Sequence, residues 1–366
     1  MDAYRPAIGT SVQELDTPCL LVDLEALEHN FRVVAKTYRN TSAKMRGHVK
    51  NLKTPIIAHM QINAGGTVGG VCAAKVAEAE VMVEGGIDDI FITNQIVTKD
   101  KIARVCALAR RADMKVGIDD PRNLRALSEA AEEHDVTLGV LVEVDTSMHR
   151  AGVRAVEQGV ELAKLATELP GTAFRGVMSH QSLAGDPDRE TRYIEGRRFI
   201  EMCLAVKEAI EAEGIAVEIV STGETWTFDV AAEIPGVTEI EGGTYALMGT
   251  NAGYMEDFEI AATVLGTVVS TPRPGIAIGD VGVRALASPN GVLPALDGVP
   301  GVRVGELHDE HIVLRSEGEM PLSVGEKFQL ISGQQDILVN RWDQFIAVRN
   351  GRVEAVWDIL ARGCHN

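Results

Sequence analysis

The chain has 366 residues, 45% apolar and 24% charged, the mixture of a soluble protein long enough for one large domain and a smaller one. Its 53 acidic and 35 basic side chains leave a formal net charge of −18, which excludes duplex DNA and anionic membranes as partners. The sequence has no apolar stretch of the roughly 18 residues a membrane span needs, and its opening, MDAYRPAIGTSVQELDTP, has no apolar core of signal-peptide type.

From about residue 20 to 250, strand-like runs alternate with amphipathic segments. In chain order the runs are 44–50 (KMRGHVK), 68–72 (VGGVC), 88–94 (DDIFITN), 114–119 (MKVGID), 136–145 (VTLGVLVEVD), 173–180 (AFRGVMSH), 217–222 (VEIVST) and 237–241 (VTEIE). Segments such as KVAEAEVMVEGG, NLRALSEAAEEHD and RETRYIEGRRFIEMCLAVKEAIEAEG lie between them. These repeat apolar residues every three or four positions and predict helices. Short strands separated by helices indicate parallel βα units. Eight units suggest a closed (β/α)8 TIM barrel; a doubly wound open sheet is the alternative, although no GxGxxG follows the first strand. Near residue 258 the pattern turns β-rich, and RNGR between two alternating runs is a hairpin signal. The expectation is a barrel over 20–257 and a small antiparallel β domain over 258–366 that the first 19 residues join.

The five cysteines (Cys19, Cys72, Cys106, Cys203, Cys364) are scattered, with neither a disulfide framework nor CxxC spacing, which fits reduced thiols in a cytoplasm.

In a TIM barrel the reactive groups stand at the C-terminal strand ends. That rule selects His48 and Lys50 on the first strand, Cys72, then Thr93, Asn94 and Gln95, then Asp119. Glu143 and Asp145, followed by His149 and Arg150, end the fifth strand, and His180 and Gln181 the sixth. STGETWT and EGGTYALMG follow the last two. Phosphate sites in this fold use the loops after strands seven and eight, where backbone N–H groups converge. Thr222, Gly223, Thr225, Gly243, Thr244 and Tyr245 are therefore candidate phosphate ligands, with ordinary turns as the alternative. Lys50 is either a functional amine, since a desolvated amine attacks aldehydes, or a solvated neighbour of Lys53. His180 is either a base or a packed barrel histidine.

These residues resemble a family. GHVKNLKTP is similar to the fold-type III pyridoxal-5′-phosphate (PLP) motif, in which a short strand ends H-x-K and the lysine carries the cofactor. VEVDTSMHRAGV resembles the D-T-G-M-x-R-x-G segment of alanine racemases, D-threonine aldolases and D-serine dehydratases. VCAAKVAEAEVMVEGGIDDIFITNQIV resembles the second and third barrel units of the D-threonine aldolase-like group, and VRNGRVEAVWDILARG the closing hairpin of D-3-hydroxyaspartate aldolases. The resemblance spans about residues 14–362. It implies that Lys50 holds PLP, supported by His48, that Arg150 lies near the ring oxygen, and that the 221–225 and 242–245 loops cradle the phosphate. It also implies a β domain capping the barrel mouth and a homodimer.

Departures accompany it. Leu52 replaces the second histidine of H-x-K-x-H-K, His180-Gln181-Ser182 stands where relatives read Y-x-G, and Glu224 brings a carboxylate to the expected phosphate loop. The C-terminal metal motif, H-x-D or H-x-C in relatives, reads Gln334-Gln335-Asp336, a harder oxygen pair suited to magnesium or manganese, or to no metal at all. The activity implied is lyase cleavage of a D-β-hydroxy-amino acid to glycine and an aldehyde; His180, by its place at the sixth strand end, is the first candidate base, directly or through water. A D-amino-acid dehydratase, an amino-acid racemase and a non-catalytic PLP carrier are the alternatives.

Overall fold

The computed structural model describes residues 4–181, 183, 186–288 and 291–366. Ser182, singled out above, lies outside them. The chain divides into two compact units: residues 32–50, 55–243 and 364–366 form one, and residues up to 31, 51–54 and 244–363 the other.

The chain opens with β1 (Cys19–Asp23) and α1 (Leu24–Thr37), and the barrel strands follow. These are β2 (Lys44–His48), β3 (Thr67–Ala73), β4 (Asp89–Ile92), β5 (Asp113–Ile118), β6 (Leu138–Glu143), β7 (Thr172–Met178), β8 (Ile219–Ser221) and β9 (Glu239–Gly242). Each is parallel to its neighbour, and β9 pairs back onto β2 with Lys44 opposite Glu239, so the sheet closes. All eight predicted runs are strands, and the barrel prevails over the open sheet. Burial on both faces explains why β6, LGVLVE, is buried at all six positions.

The connections are α2 (Pro55–Ala64), α3 (Val76–Glu84), α4 (Lys99–Leu108), α5 (Pro121–Glu133), α6 (Val156–Glu168), α7 (Arg189–Ala212) and α8 (Phe228–Ala232). Asp120 starts α5 by accepting the Arg122 N–H, with Pro121 at the first helical position, and Asp188 starts α7 by accepting that of Thr191.

The barrel floor is ionic. A Cβ on Gly47 would strike the Gln61 amide of α2, so that position faces outward, and its neighbours Arg46 and His48 face inward. Arg46, 1% exposed, donates through Nε and Nη2 to Glu239 at 2.7 and 2.6 Å and through Nη1 to Asp89 at 2.9 Å. Lys115 Nζ donates to Asp89 and Asp113 at 2.8 and 2.7 Å. Burial pushes Asp89 upward, but the two cations outweigh it and hold its carboxyl below the usual range. An apolar cluster of Cys72, Phe91, Leu141, Met178 and Ile219 also fills the barrel interior.

In the second unit β1 joins β10 (Ala262–Arg273), β11 (Ile276–Gly279), β12 (Ala295–Asp297), β13 (Val302–Leu307), β14 (Ile312–Ser316) and β15 (Lys327–Ile331). Past the short α9 (Gln335–Leu338) come β16 (Gln344–Arg349) and β17 (Arg352–Asp358). The sheet path is β13-β14-β11-β10-β1-β16-β17, with β15 beside β10 and β12. The sheet is mainly antiparallel, with one departure from the expectation: β1 runs parallel to β16, Leu21 opposite Ile346. A parallel pair needs a long connection, and strands from opposite ends of the chain supply one. The predicted RNGR hairpin is present, with Asn350 and Gly351 at φ 50° and 70°. Val12, Leu15, Leu21, Leu265, Ile346 and Val353 pack together in its core.

Candidate active site

Pairing of β2 with its neighbours ends at His48, and the chain then winds into a 3₁₀ turn over Val49–Asn51. Lys50 therefore stands on a turn just past the strand end, where the sequence placed it on the strand itself. Its backbone N–H donates to His48 Nδ1 at 3.3 Å, so the buried imidazole braces the turn that carries the half-buried amine.

The segment after β6 is tied by its own residues. Val144 and Val153 form a parallel bridge, the Val153 N–H donates to Glu143 O, and the Asp145 carboxylate accepts the His149 N–H at 2.9 Å and Arg154 Nε at 3.1 Å. Asp119, ending β5, accepts the Gly152 N–H at 2.9 Å. Gly152 has φ 102°, and a Cβ there would sit 2.6 Å from the Asp145 nitrogen, so only glycine closes this loop. The loop presents Arg150, exposed, on the electrostatic horizon of Glu143 and His180.

The ends of β7 and β8 are joined by side chains. Ser179 Oγ and Thr222 Oγ1 lie 2.6 Å apart in a buried hydrogen bond. Gln181 Nε2 donates to the Gly196 carbonyl of α7 at 3.3 Å, and its Oε1 accepts from Thr227 Oγ1 at 3.0 Å. Thr227 Oγ1 in turn accepts the Glu224 N–H at 3.1 Å. The Gln181 amide is thus committed to bracing the loop after β8. That loop carries Gly223 and the buried Thr225 in the turn leading to α8.

The brace sets Glu224 Oε2 3.7 Å from His180 Nε2. Burial drives the His180 imidazole down to about 3, with the Lys50 and Arg150 cations pushing the same way. Burial also lifts Glu224 to about 8, against donors at Leu183 and Trp226 and the charge of Lys50. At neutral pH both groups are mainly uncharged, so their contact is not an ion pair, and Glu224 does not bring the negative charge expected of it. Lys50 acts on both groups, which places the three within electrostatic reach of one another. Among the described residues, buried Glu224 Oε1 has no hydrogen-bond partner.

Inside the barrel, Glu241 accepts from Ser221 Oγ at 3.0 Å, and burial lifts its carboxyl to about 8. An acid held more tightly protonated when folded loses stability as pH rises from its ordinary value near 4.5 towards 8. Glu241→Gln is therefore expected to match the natural chain near pH 5. By pH 8 it should exceed it by roughly 2–4 kcal/mol, seen as an upward shift in Tm. A Tm difference that does not vary with pH contradicts this account.

Gly243 follows β9 at the end of the barrel unit's segment, and in the other unit the Thr244 carbonyl accepts the Met248 N–H. Tyr245 is fully buried, its ring 6.4 Å from Phe31 and 5.6 Å from Phe258 between centroids. Gln334 is the N-cap of α9, and Asp336, in its first turn, has a buried Oδ1 without a hydrogen-bond partner among the described residues. Among the described residues no group of three or more His, Cys, Asp or Glu could hold a metal ion. The Gln334 and Asp336 pair offers two oxygen donors, too few by themselves for a metal centre. Cys72 is fully buried, and burial raises its thiol well above the ordinary range, as packing requires.

A parallel barrel carrying an amine one turn past its first strand, with hydroxyl-rich loops on its last strands, marks the class: a PLP-dependent enzyme of fold type III. Residues 22–250 match the alanine racemase N-terminal domain model and residues 261–348 that of the serine dehydratase domain. The chain belongs to the alanine racemase N-terminal domain family. It is 35% identical to the 3-hydroxy-D-aspartate aldolase of Paracoccus denitrificans (strain Pd 1222), covering 98% of this chain and 95% of that one. It is 34% identical to the D-threonine aldolase of an Arthrobacter species, over 97% and 95% of the two chains. The crystal structure of D-threonine aldolase from Filomicrobium marinum superposes with a TM-score of 0.94 at 33% identity, covering 99% of this chain and all of that one.

The residues present fit PLP. Lys50 offers the amine, and the unpartnered oxygen of Glu224 leaves polar capacity at the same strand ends. The sequence named Glu224 only as a departure. Its partnership with His180 had no signal in the spacing, because all of α7 separates the two.

Proposed function

We propose that this protein cleaves D-β-hydroxy-amino acids of the 3-hydroxyaspartate or threonine type to glycine and an aldehyde. The observation that supports this most is identity of about a third, over nearly the whole chain, to aldolases of both kinds. PLP, when bound, supplies the electron sink that lets the Cα–Cβ bond break.

The chain's own residues do the rest. Lys50 holds the cofactor by its amine, braced by His48. Thr222, Gly223, Thr225 and Gly243, with Thr244 and Tyr245 next in the chain, are the residues that would hold its phosphate, and Arg150 is the cation that would serve its ring. Gln181 keeps the loop after β8 in place. His180, uncharged at neutral pH, takes the proton of the substrate β-hydroxyl as the carbonyl forms. Gln334 and Asp336 are oxygen donors only. On this reading the protein works on small amino acids as a homodimer in the cytoplasm, the compartment that fits its scattered cysteines.

Incubation with D-threonine, D-3-hydroxyaspartate and D-serine, with aldehyde, ammonia and optical rotation followed separately, tests the reading. Glycine and aldehyde in equal amounts are expected. Ammonia without aldehyde indicates a dehydratase, and loss of rotation alone a racemase. His180→Ala is expected to lower kcat by about 10²–10⁴ while leaving cofactor binding in place.

A further inference from the structure

We infer that Glu224 is the positioning residue for His180: its carboxyl group engages Nε2 of the ring and leaves Nδ1 as the nitrogen that accepts the substrate's proton. The inference deepens the function proposed above and rests on it.

Geometry carries it. Nε2 is the ring nitrogen that faces Glu224, at 3.7 Å from Oε2. That is longer than a formed hydrogen bond, a common state for catalytic contacts before substrate arrives. Both partners are held from behind. The His180 carbonyl accepts from Thr146 Oγ1 at 3.3 Å, and the Glu224 N–H is held by Thr227, itself tied to Gln181. A Cβ at Gly196 would come within 2.5 Å of Thr227 Cγ2, so glycine on α7 is what lets this brace seat. Glu224 is 5% exposed, and although Leu183 and Trp226 donate to its carboxyl, its buried Oε1 has no hydrogen-bond partner among the described residues, which leaves acceptor capacity beside the ring.

The charged and titratable groups facing the pair are Lys50 on the turn after β2, Arg150 on the loop after β6 and Glu241 on β9. An uncharged carboxyl still accepts the Nε2–H through its carbonyl oxygen, and the lone pair then stands on Nδ1.

The test uses two variants of the PLP-loaded protein, read by ¹⁵N NMR of the His180 ring. Glu224→Gln keeps an acceptor and removes the titration. Glu224→Met keeps the volume and removes both. The natural protein and Glu224→Gln are expected to show one tautomer, protonated at Nε2. Glu224→Met is expected to show a mixture, with kcat lowered about 10- to 100-fold, KM nearly unchanged and PLP affinity retained.

A pH-dependent shift of the His180 signals near pH 8 is expected in the natural protein and not in Glu224→Gln, which carries the test should Glu224→Met fail to fold. Unchanged ring signals in Glu224→Met, or a pH-8 inflection that persists in Glu224→Gln, overturn the inference. A tautomer change in Glu224→Met with full turnover in His180→Ala would leave the pairing standing and remove His180 from the chemistry.

Discussion

Lys50→Ala is expected to abolish the visible absorbance of the lysine-bound cofactor and to lower turnover by more than about 10³-fold. The amine is the nucleophile that captures the cofactor's aldehyde. His48 braces the turn by accepting the Lys50 N–H, and the half-buried side chain supports little packing, so the fold should survive. Circular dichroism and Tm close to those of the natural protein are the control. Lys50→Arg keeps the positive charge felt by His180 and Glu224 but cannot form the same linkage. It should behave like the alanine variant in absorbance. Retained absorbance in both variants would move the cofactor to another amine and remove the basis of the proposed site.

The largest effect on stability is expected from Arg46→Met. Its guanidinium lies between Glu239 and Asp89 with side-chain exposure of 2%. Removing it leaves Glu239, 6% exposed, with its charge uncompensated, while Asp89 keeps Lys115. Breaking a buried pair from one side costs about 3–5 kcal/mol, enough to consume much of the usual margin of a folded domain. Adding Glu239→Gln should restore a large part of the loss, because the orphaned charge goes with the substitution. Chemical denaturation of the single and double variants measures this. If Arg46→Met and Arg46→Met with Glu239→Gln unfold at the same denaturant concentration, the floor is not held by charge pairing.

The motif residues around Lys50 and 142–153 were legible because each does its work locally. His48 ends β2 and Lys50 stands two positions on in the turn that follows, and Asp145 closes its loop onto His149 and Arg154 within ten residues of chain. Long-range partners left no such trace. Glu241 looks in sequence like any acidic residue near a turn, and only closure of the barrel puts it beside Ser221 with its carboxyl buried. Gln181 likewise stood among the strand-end candidates by position, and the fold ties its amide to Thr227 and Gly196.

By itself the sequence determined the eight strand-helix units, the β-rich remainder with its RNGR hairpin, and the lysine at the first strand end. Periodicity, turn chemistry and short motifs are properties of neighbouring residues. Tertiary structure alone decided the parallel seat of β1 beside β16, the ionic floor around Arg46, and the meeting of His180 with Glu224. Each depends on which distant strand ends come together and how much water they exclude, and burial is what turns two ordinary titratable side chains into an uncharged pair.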